Sequence, residues 1–301
     1  MATIDPLAEI VTLLQPMARF SKQVACTAPW HIYRDGTGEP FYCAILEGSC
    51  RIAFGTGPAV VLLTGDFVLA PAMRALRIES LDTPPDLPAN QPEKLGEGLF
   101  HVGRRDGPTD LRMRIGHCRF DTHDAALLVS LLPDQVIVRD QPRLTTLIQL
   151  IDEEARAQRA AHELVLERLL EVVLIEAMRS ASAIATAPSL ARGLADERLA
   201  AALRAMHMQP ERAWTMAMLA QEAALSRSAF FTRFSRSVGL PPMEYLLIWR
   251  MALAKQLLRQ PGLGLEQVAQ RVGYGSASAF SVAFARRTGM PPARYARAHT
   301  M

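Results

Sequence analysis

The sequence has little of what marks secreted, membrane-spanning or disulfide-stabilised proteins. Its four cysteines, Cys26, Cys43, Cys50 and Cys118, are too few and too irregularly spaced for a disulfide framework or a zinc knuckle. No uncharged apolar run approaches the roughly 18 residues that a membrane-spanning helix needs. The first residues carry neither the basic nor the apolar segment of a signal peptide. We therefore expect a soluble, cytoplasmic protein with reduced thiols and no membrane association.

Catalytic and metal-binding motifs are also missing from the sequence. Neither a nucleophile motif nor a phosphate-binding glycine loop appears. The four histidines of the first half, His31, His101, His117 and His123, show no metal-ligand spacing. We accordingly expect no metal, no cofactor and no catalytic residues.

Charge is distributed unevenly along a chain of otherwise ordinary composition. The 301 residues are 50% apolar and 21% charged, which excludes a disordered protein and fits one large or two ordinary domains. Residues 190–301 hold 15 lysines and arginines against 6 acidic residues, a balance of +9. Residues 1–189 hold 18 against 24, a balance of −6. This asymmetry predicts two domains, with the basic domain facing a polyanion.

The residue pattern divides the chain into segments. Residues 5–20 predict a short amphipathic helix, and residues 30–120 predict an antiparallel sheet of short strands separated by Gly, Asp and Pro. Residues 82–98 contain four prolines and predict a loop. Helical spacing of apolar residues returns at residues 141–180 and, after a stretch of small residues, at residues 192–299.

The most specific feature is an internal repeat between residues 219–245 and 268–295. The offset is 50 residues and pairs Ser226 with Ser276, Phe230 with Phe280, Phe234 with Phe284, Gly239 with Gly289 and Tyr245 with Tyr295. Each copy predicts a helix-turn-helix: a short helix, a turn, and a second helix that a serine caps and a glycine ends.

The two faces of each second helix follow from its turn of about 100° per residue. The predicted core residues are Phe230, Phe231, Phe234, Val238, Phe280 and Phe284. The opposite face carries small residues and one arginine, which suits a helix in the major groove of DNA. The predicted base-facing residues are Ser228, Ala229, Thr232, Arg236, Ser278, Ala279, Val282 and Arg286. The predicted phosphate contacts are Arg227, Arg233, Arg250, Lys255 and Arg287, and the capping residues Ser226 and Ser276 complete the DNA-binding set. The alternative is a helical bundle whose basic faces are merely solvated.

Residues 192–299 resemble the DNA-binding domain of AraC/XylS-type transcription regulators. The segment VGYGSASAFSVAFARRTGMPPARYAR carries the resemblance. It implies two helix-turn-helix units joined by a rigid helix, binding to two adjacent major-groove segments of double-stranded DNA, and contact with RNA polymerase. The family often has Arg or Lys where this chain has Val282 and Ala285, which leaves more of the base discrimination to Thr232 and Arg236.

The first half resembles the cupin-type sensor domain of one AraC branch in the segments AILEGSCRI and LLTGDFVLAPA. The resemblance implies a cupin-like β-barrel that responds to a small-molecule effector. Where metal-binding cupins have a histidine pair, this chain has Phe41, Tyr42 and Cys43. Two alternatives remain: a cupin enzyme with a helical accessory domain, and a protein that coats DNA without sequence preference.

Three cysteines are candidate sensing thiols. A two-residue hairpin turn at Glu47 and Gly48 would place Cys43 and Cys50 inside the barrel as diagonal neighbours, too far apart for a direct disulfide. Cys26 lies in a polar stretch beside Lys22, where we expect a reactive thiolate near the surface. Cysteine oxidation or electrophile modification therefore competes with a small organic ligand as the signal.

These observations predict an α+β multidomain protein. A cupin-like antiparallel β-barrel sensor domain spans residues 1–140, a helical dimerisation segment spans 141–182, and a linker spans 183–191. An all-α DNA-binding domain with two helix-turn-helix motifs spans residues 192–301. Because an operator with repeated half-sites is gripped best by two chains, we expect a homodimer.

Overall fold

The computed structural model describes residues 5–14, 16–120, 128–129, 131–132, 134–139, 141–157, 159–184 and 188–299. The chain forms two compact units. One unit, here called the sheet unit, consists of residues 15–121 and 133–181; the other, the helical unit, consists of residues 1–14, 122–132 and 182–301. The predicted linker at 183–191 lies partly outside the described residues, and the domain boundaries stay a prediction.

The sheet unit is a curled, mixed β-sheet with two helices. Its strands are β1 (Pro16–Thr27), β2 (His31–Arg34), β3 (Phe41–Phe54), β4 (Val60–Leu63), β5 (Phe67–Ala70), β6 (Leu76–Glu79), β7 (Glu93–Gly96), β8 (Leu99–Gly103), β9 (Leu111–Phe120) and β10 (Val136–Val138). Helices α2 (Pro142–Ala157) and α3 (His162–Ile184) follow. The strand order is β10-β5-β3-β9-β1-β8-β7, and β2, β4 and β6 form a second layer that is joined to it through β3.

The prediction of a purely antiparallel sheet is wrong at β1. This strand pairs antiparallel with β9 but parallel with β8, where Gln23 lies opposite Leu99. The segment that we predicted as a loop at 82–98 contains β7, which forms an antiparallel pair with β8. Strand β1 thus lies between β9 on one side and β8 on the other, and β7 forms the edge beyond β8.

A second correction concerns Glu47 and Gly48, which do not form a hairpin turn. Strand β3 runs through both residues, and its register against β9 shifts between Ile45 and Glu47. Gly48 has a φ of +85°, and a Cβ there would lie 1.9 Å from the carbonyl oxygen of Asp110. Glycine is required at this irregularity because it adopts positive φ without strain and lets two backbones approach closely.

The irregularity changes which residues of β3 face the interior. Cys43 and Ile45 belong to the apolar core before it, and Cys50 and Ile52 belong to the same core after it, so the core positions change from odd to even. A regular strand would have turned one of these pairs outward, since side chains alternate with a period of two. Both halves of β3 therefore supply the same apolar core, which Trp30 and residues of seven further strands complete.

The helical unit contains α1 (Pro6–Leu14) and a series of helices from residue 190 onward. These are α4 (Leu190–Ala195), α5 (Glu197–Met208), α6 (Met216–Glu222), α7 (Arg227–Val238), α8 (Pro242–Leu258), α9 (Leu265–Arg271), α10 (Ala277–Thr288) and α11 (Pro292–His299). The predicted helix at 5–20 is shorter than expected, since β1 begins at Pro16. Among the helices that the structure describes in either unit, none is long and apolar enough to cross a membrane.

Two helix pairs in the helical unit, α6 with α7 and α9 with α10, pack with repeated geometry. The Phe230 and Phe234 rings lie 5.5 Å apart, and the Phe280 and Phe284 rings lie 5.4 Å apart. A tyrosine meets the second ring edge-on in both cases, Tyr245 at 5.8 Å and Tyr295 at 5.6 Å. Edge-to-face aromatic pairs are favoured at these separations, so the sequence repeat is also a repeat of core packing.

Helix α1 closes the core of the helical unit at a buried histidine on α5. The Nδ1 atom of His207 lies 2.6 Å from Glu9 on α1, and its Nε2 atom lies 2.7 Å from the Tyr245 hydroxyl. The imidazole also stacks on Trp249 at 3.9 Å. A neutral imidazole satisfies both partners when Nδ1–H donates to the Glu9 carboxylate and Nε2 accepts from Tyr245.

We expect Gly48→Ala to destabilise the sheet unit by roughly 2 kcal/mol or more, because it combines positive φ with a backbone clash. Gly65→Ala is the matched control: its φ is +88°, but nothing lies within 4 Å of the added Cβ. It should cost about 1 kcal/mol, the backbone penalty alone. Urea denaturation measures both, and equal losses would contradict the close-approach explanation.

Protonation of His207 should destabilise the helical unit. Burial lowers the pKa of His207 below its ordinary value, and the hydrogen bond with Glu9 offsets this only in part. The unfolded chain therefore takes up a proton more readily, so the free energy of unfolding should fall as the pH drops below about 6.5. Urea denaturation between about pH 7.5 and about pH 5.5 should show a shallower loss in His207→Gln than in the wild type. Equal pH dependence in the two proteins would count against this role.

Candidate nucleic-acid interface

Helix α7 is held in place by its caps and by one buried face. The Ser226 hydroxyl accepts a hydrogen bond from the backbone N–H of Ala229 at 3.3 Å, and Gly239 ends the helix with a φ of +91°. Phe230, Phe234 and Val238 are buried. The predicted caps and these core positions are therefore confirmed.

Phe231, in contrast, was predicted to be core and is 47% exposed. It is one position, about 100°, around the helix from Phe230, and the packed face of α7 is too narrow to include both.

The outward face of α7 carries the residues that we predicted to face DNA bases. Ser228, Ala229, Thr232 and Arg236 are all exposed. Together with Arg192 and Arg198 near the starts of α4 and α5, they line an open concave surface. These two arginines were not predicted as interface residues, because their segment precedes the repeat. Four arginines line this surface against two carboxylates, those of Asp196 and Glu197, and the excess of positive charge in a concavity can attract a polyanion.

Helix α10 presents an equivalent surface. Ser276 accepts a hydrogen bond from the backbone N–H of Ala279 at 3.2 Å, and Gly289 ends the helix with a φ of +78°. Phe280 and Phe284 are buried. The exposed residues are Ser278, Ala279, Val282, Arg286 and Arg287.

Val282 stands out on this face because it is 69% exposed. A large aliphatic side chain this far from the core of the helical unit can make an apolar contact with a partner.

Two arginines beside the outward faces of α7 and α10 form ion pairs on the protein surface. Arg233 lies 2.5 Å from Asp196, and Arg287 lies 3.7 Å from Glu244. Burial would raise the pKa of Asp196, but the hydrogen bonds from Arg233 and from backbone N–H groups lower it overall. Half-exposed pairs of this kind contribute little to stability, so a phosphate can replace the carboxylate. Arg227 is exposed at the start of α7.

Of the two predicted phosphate contacts on α8, Lys255 is contradicted by its burial, and Arg250 stays a prediction. Arg250 donates to the carbonyl oxygens of Pro210 and Arg212, both at 2.7 Å, and burial lowers its pKa. Lys255 is buried, with its Nζ 5.8 Å from the centre of the Tyr295 ring. Helix α8 is buried on most of its circumference, so Lys255 contacts the protein interior, whereas Arg250 is partly exposed.

Of the three candidate sensing thiols, Cys43 and Cys50 are buried as predicted, whereas Cys26 differs from expectation. The prediction that Cys26 is a surface thiolate is wrong: its side chain is fully buried on β1, between β8 and β9. Burial raises the pKa of Cys26, as it does for Cys43, and raises that of Cys50 to about 12. All three are free thiols in the apolar core. Within the described residues, no group of three or more His, Cys, Asp or Glu side chains could hold a metal ion.

Comparison with known proteins agrees with both halves of this architecture. The Cupin family matches residues 5–183, and a helix-turn-helix domain family matches residues 219–298. A putative AraC-like transcription regulator from Streptomyces lividans is 34% identical over 286 residues, which are 91% of this chain and 92% of that protein. The HTH-type transcriptional regulator AlkR from Acinetobacter baylyi is 27% identical over 77% of this chain and 79% of its own length.

Among solved structures, the DNA-binding domain of AdpA in complex with a target DNA is 31% identical. The match covers 34% of this chain and 88% of that one, with a TM-score of 0.31. The assignment therefore depends on the family matches and on the relatives that align over nearly the whole chain. These identify a transcription regulator rather than an enzyme. The chain belongs to the AraC-type DNA-binding transcription regulators, with a cupin domain in its first part and a helix-turn-helix domain in its last.

Proposed function

We propose that this regulator reads DNA with two helix-turn-helix units, α6–α7 and α9–α10, and that α7 and α10 enter the major groove. The observation that carries the proposal is the repeated exposure pattern. Residues 228, 229, 232 and 236 are exposed on α7, and residues 278, 279, 282 and 286 are exposed on α10. The offset of 50 residues thus preserves the outward face as well as the core.

The side chains on these faces fit the chemistry of base edges. Arg236 and Arg286 can each donate two hydrogen bonds to a guanine, and Thr232 can pair with several bases. Val282 is suited to the methyl group of a thymine, since it offers an apolar contact and no hydrogen bond. In this proposal the first unit discriminates bases mainly through the hydrogen bonds of Thr232 and Arg236. The second unit contacts a thymine methyl group through Val282 and a guanine through Arg286.

Phosphate contacts would come from Arg227, Arg233 and Arg287. The last two exchange Asp196 and Glu244 for phosphate oxygens when DNA binds. Such contacts fix the register of the helices on the duplex but carry no sequence information.

The sheet unit would control DNA binding by taking up a small-molecule effector. Two observations support a ligand over thiol chemistry. The unit contains a cavity of about 250 Å³, lined mainly by apolar side chains. The described thiols are buried and their pKa values are raised, which disfavours the thiolate that oxidants and electrophiles attack.

Helices α2 and α3 would form the interface of a homodimer. Leu150 on α2 and Leu164 and Val165 on α3 are 43%, 53% and 39% exposed. Burying them in a two-fold interface removes apolar surface from water, and two chains can grip two half-sites of an operator.

Arg236→Ala and Arg227→Ala should affect DNA binding differently. Arg236→Ala should lower affinity for a selected operator by about 1–3 kcal/mol and relax base preference at one position. Arg227→Ala should weaken operator and random duplexes alike and reduce the slope of log affinity against log salt concentration by about 0.9. Fluorescence anisotropy titrations over a series of salt concentrations measure all of these quantities.

Arg105→Ala, which removes an exposed arginine of the sheet unit, is the matched control and should leave both the affinity and the salt slope unchanged. With three phosphate contacts, wild-type affinity should fall roughly fortyfold between about 50 and 200 mM salt. An affinity indifferent to salt, or one equal for operator and random DNA, would refute the proposal.

Leu164→Arg should convert the dimer to a monomer, because it places a charge in the apolar interface. Leu63→Arg is the control, since Leu63 on β4 is equally exposed, at 51%, but lies outside α2 and α3. Sedimentation velocity of the two variants and the wild type provides the test. A monomeric wild type, or a dimer that survives Leu164→Arg, would argue against this interface.

A further inference from the structure

Helix α8 packs against both helix pairs, α6–α7 and α9–α10. Near its start, the Tyr245 ring meets Phe234 of α7 edge-on at 5.8 Å. Further along, α8 shares an apolar core with buried residues of α9 and α10, and its own members of that core are Met251, Ala254, Leu257 and Leu258. Arg250 lies on α8 between Tyr245 and this group, and is therefore placed to contact both pairs.

The guanidinium of Arg250 binds the segment that precedes α6. Its Nε donates to the carbonyl oxygen of Pro210 and its Nη2 to that of Arg212, both at 2.7 Å. The segment is itself fixed to the first pair, because Trp214 is buried and donates its backbone N–H to the same Arg212 carbonyl at 2.7 Å. Thr215, the next residue, caps α6. Arg250 thus holds the beginning of the first helix pair to α8.

The same guanidinium lies against the turn of the second pair. Gly273 lies in this turn, between α9 and α10, with a φ of +79°. A Cβ on Gly273 would lie 2.5 Å from Nη2 of Arg250, 2.8 Å from its Cζ and 2.9 Å from the carbonyl oxygen of Glu211. Only a glycine lets these three segments approach so closely. The guanidinium therefore occupies the space between the segment before α6 and the turn before α10.

A guanidinium at this position restrains orientation as well as distance. It is planar and donates in two fixed directions, so two hydrogen bonds from one group fix the angle at which the bonded segment lies. A lysine ammonium is a point charge on a flexible stem and imposes no such angle. The chemistry of Arg250 thus suits a role in holding the two pairs at one geometry.

We propose that Arg250 is a positioning residue, which fixes the spacing and relative orientation of α7 and α10 by bridging the segment before α6 and the turn before α10. The inference rests on the proposed reading of DNA by two units, and it names the residue that sets the distance between them. It also separates two roles for Arg250. A phosphate contact would strengthen binding to every duplex alike, whereas a positioning residue matters only when both units bind one duplex.

A change of spacing in the DNA tests this role. Fluorescence anisotropy of the full chain would compare a selected half-site with the same half-site after insertion of one base pair between its two contacted segments. The insertion moves one segment by about 3.4 Å and rotates it by about 34°. The wild type should lose affinity about a hundredfold, since only one unit can then bind in register.

Arg250→Met should reduce this dependence on spacing. It should bind the intact half-site about tenfold more weakly than the wild type, because the two units are no longer held in the bound geometry. It should bind the duplex with the insertion at least as tightly as the wild type, so the insertion costs it only about tenfold. Arg105→Met, which removes an exposed arginine of the sheet unit, should behave as the wild type does.

Two further variants keep the test decisive if Arg250→Met does not fold, which thermal denaturation would show. Arg250→Lys retains the charge that a phosphate needs but cannot span two carbonyls, so it too should tolerate the insertion. Gly273→Ala should act in the same way by displacing the guanidinium. Its control is Gly262→Ala, where φ is +86° but nothing lies within 4 Å of the added Cβ, and which should keep the wild-type dependence on spacing.

The proposal is overturned if the insertion costs the folded variants of Arg250 as much as it costs the wild type. Arg250 would then act on every duplex alike, as a phosphate contact or a residue that only stabilises the fold would. A wild type that tolerates the insertion would instead overturn the reading of DNA by two units, and with it the role of Arg250 that depends on it.

Discussion

Burial of the phenylalanine pairs is the constraint on which the proposed DNA-reading surface depends. Phe230 and Phe234 on α7, like Phe280 and Phe284 on α10, are fully buried and lie four residues apart. Anchoring two positions one turn apart fixes the rotation of a helix about its own axis, since truncating a buried phenylalanine costs about 3–5 kcal/mol. The residues that face outward are then determined by helical geometry alone. The repeat in the sequence preserves this anchor, and with it the orientation of both reading faces.

Helix α8 gives the basic part of the chain a more specific meaning than its balance of +9 suggests. Arg250 and Lys255 lie on this helix, where Arg250 donates to two backbone carbonyls and Lys255 lies near an aromatic ring, so their charges are directed at the helical unit itself. The exposed arginines beside the outward faces of α7 and α10 belong to these two helices and, in the case of Arg198, to α5. The net charge therefore predicted a polyanionic partner correctly. It could not show which basic residues are able to contact that partner, because this depends on which helix is buried.

Local signals explain what the sequence could predict. The serine caps, the glycine ends and the phenylalanine spacing act within one or two helical turns, and all of them were found where expected. The errors concern positions whose environment is set by distant segments. Cys26 is buried because β8 and β9 flank its strand, and Gly48 serves a close approach to Asp110 that no neighbouring residue signals. Phe231 and Lys255 show the same limit, since apolarity or charge at one position does not tell which face of a helix is covered.

The irregularity at Gly48 connects the fold of the sheet unit to the kind of signal it can receive. Because it changes the side-chain phase of β3, both Cys43 and Cys50 enter one apolar core with Cys26. In that core a thiolate is disfavoured, since a charge there loses its hydration. The cavity proposed for an effector shares this apolar wall, and its charged lining residues are Lys22, Arg34 and Asp35. One backbone feature thus places three thiols where a thiolate is disfavoured, which supports the proposed control by a small-molecule effector over control by thiol chemistry.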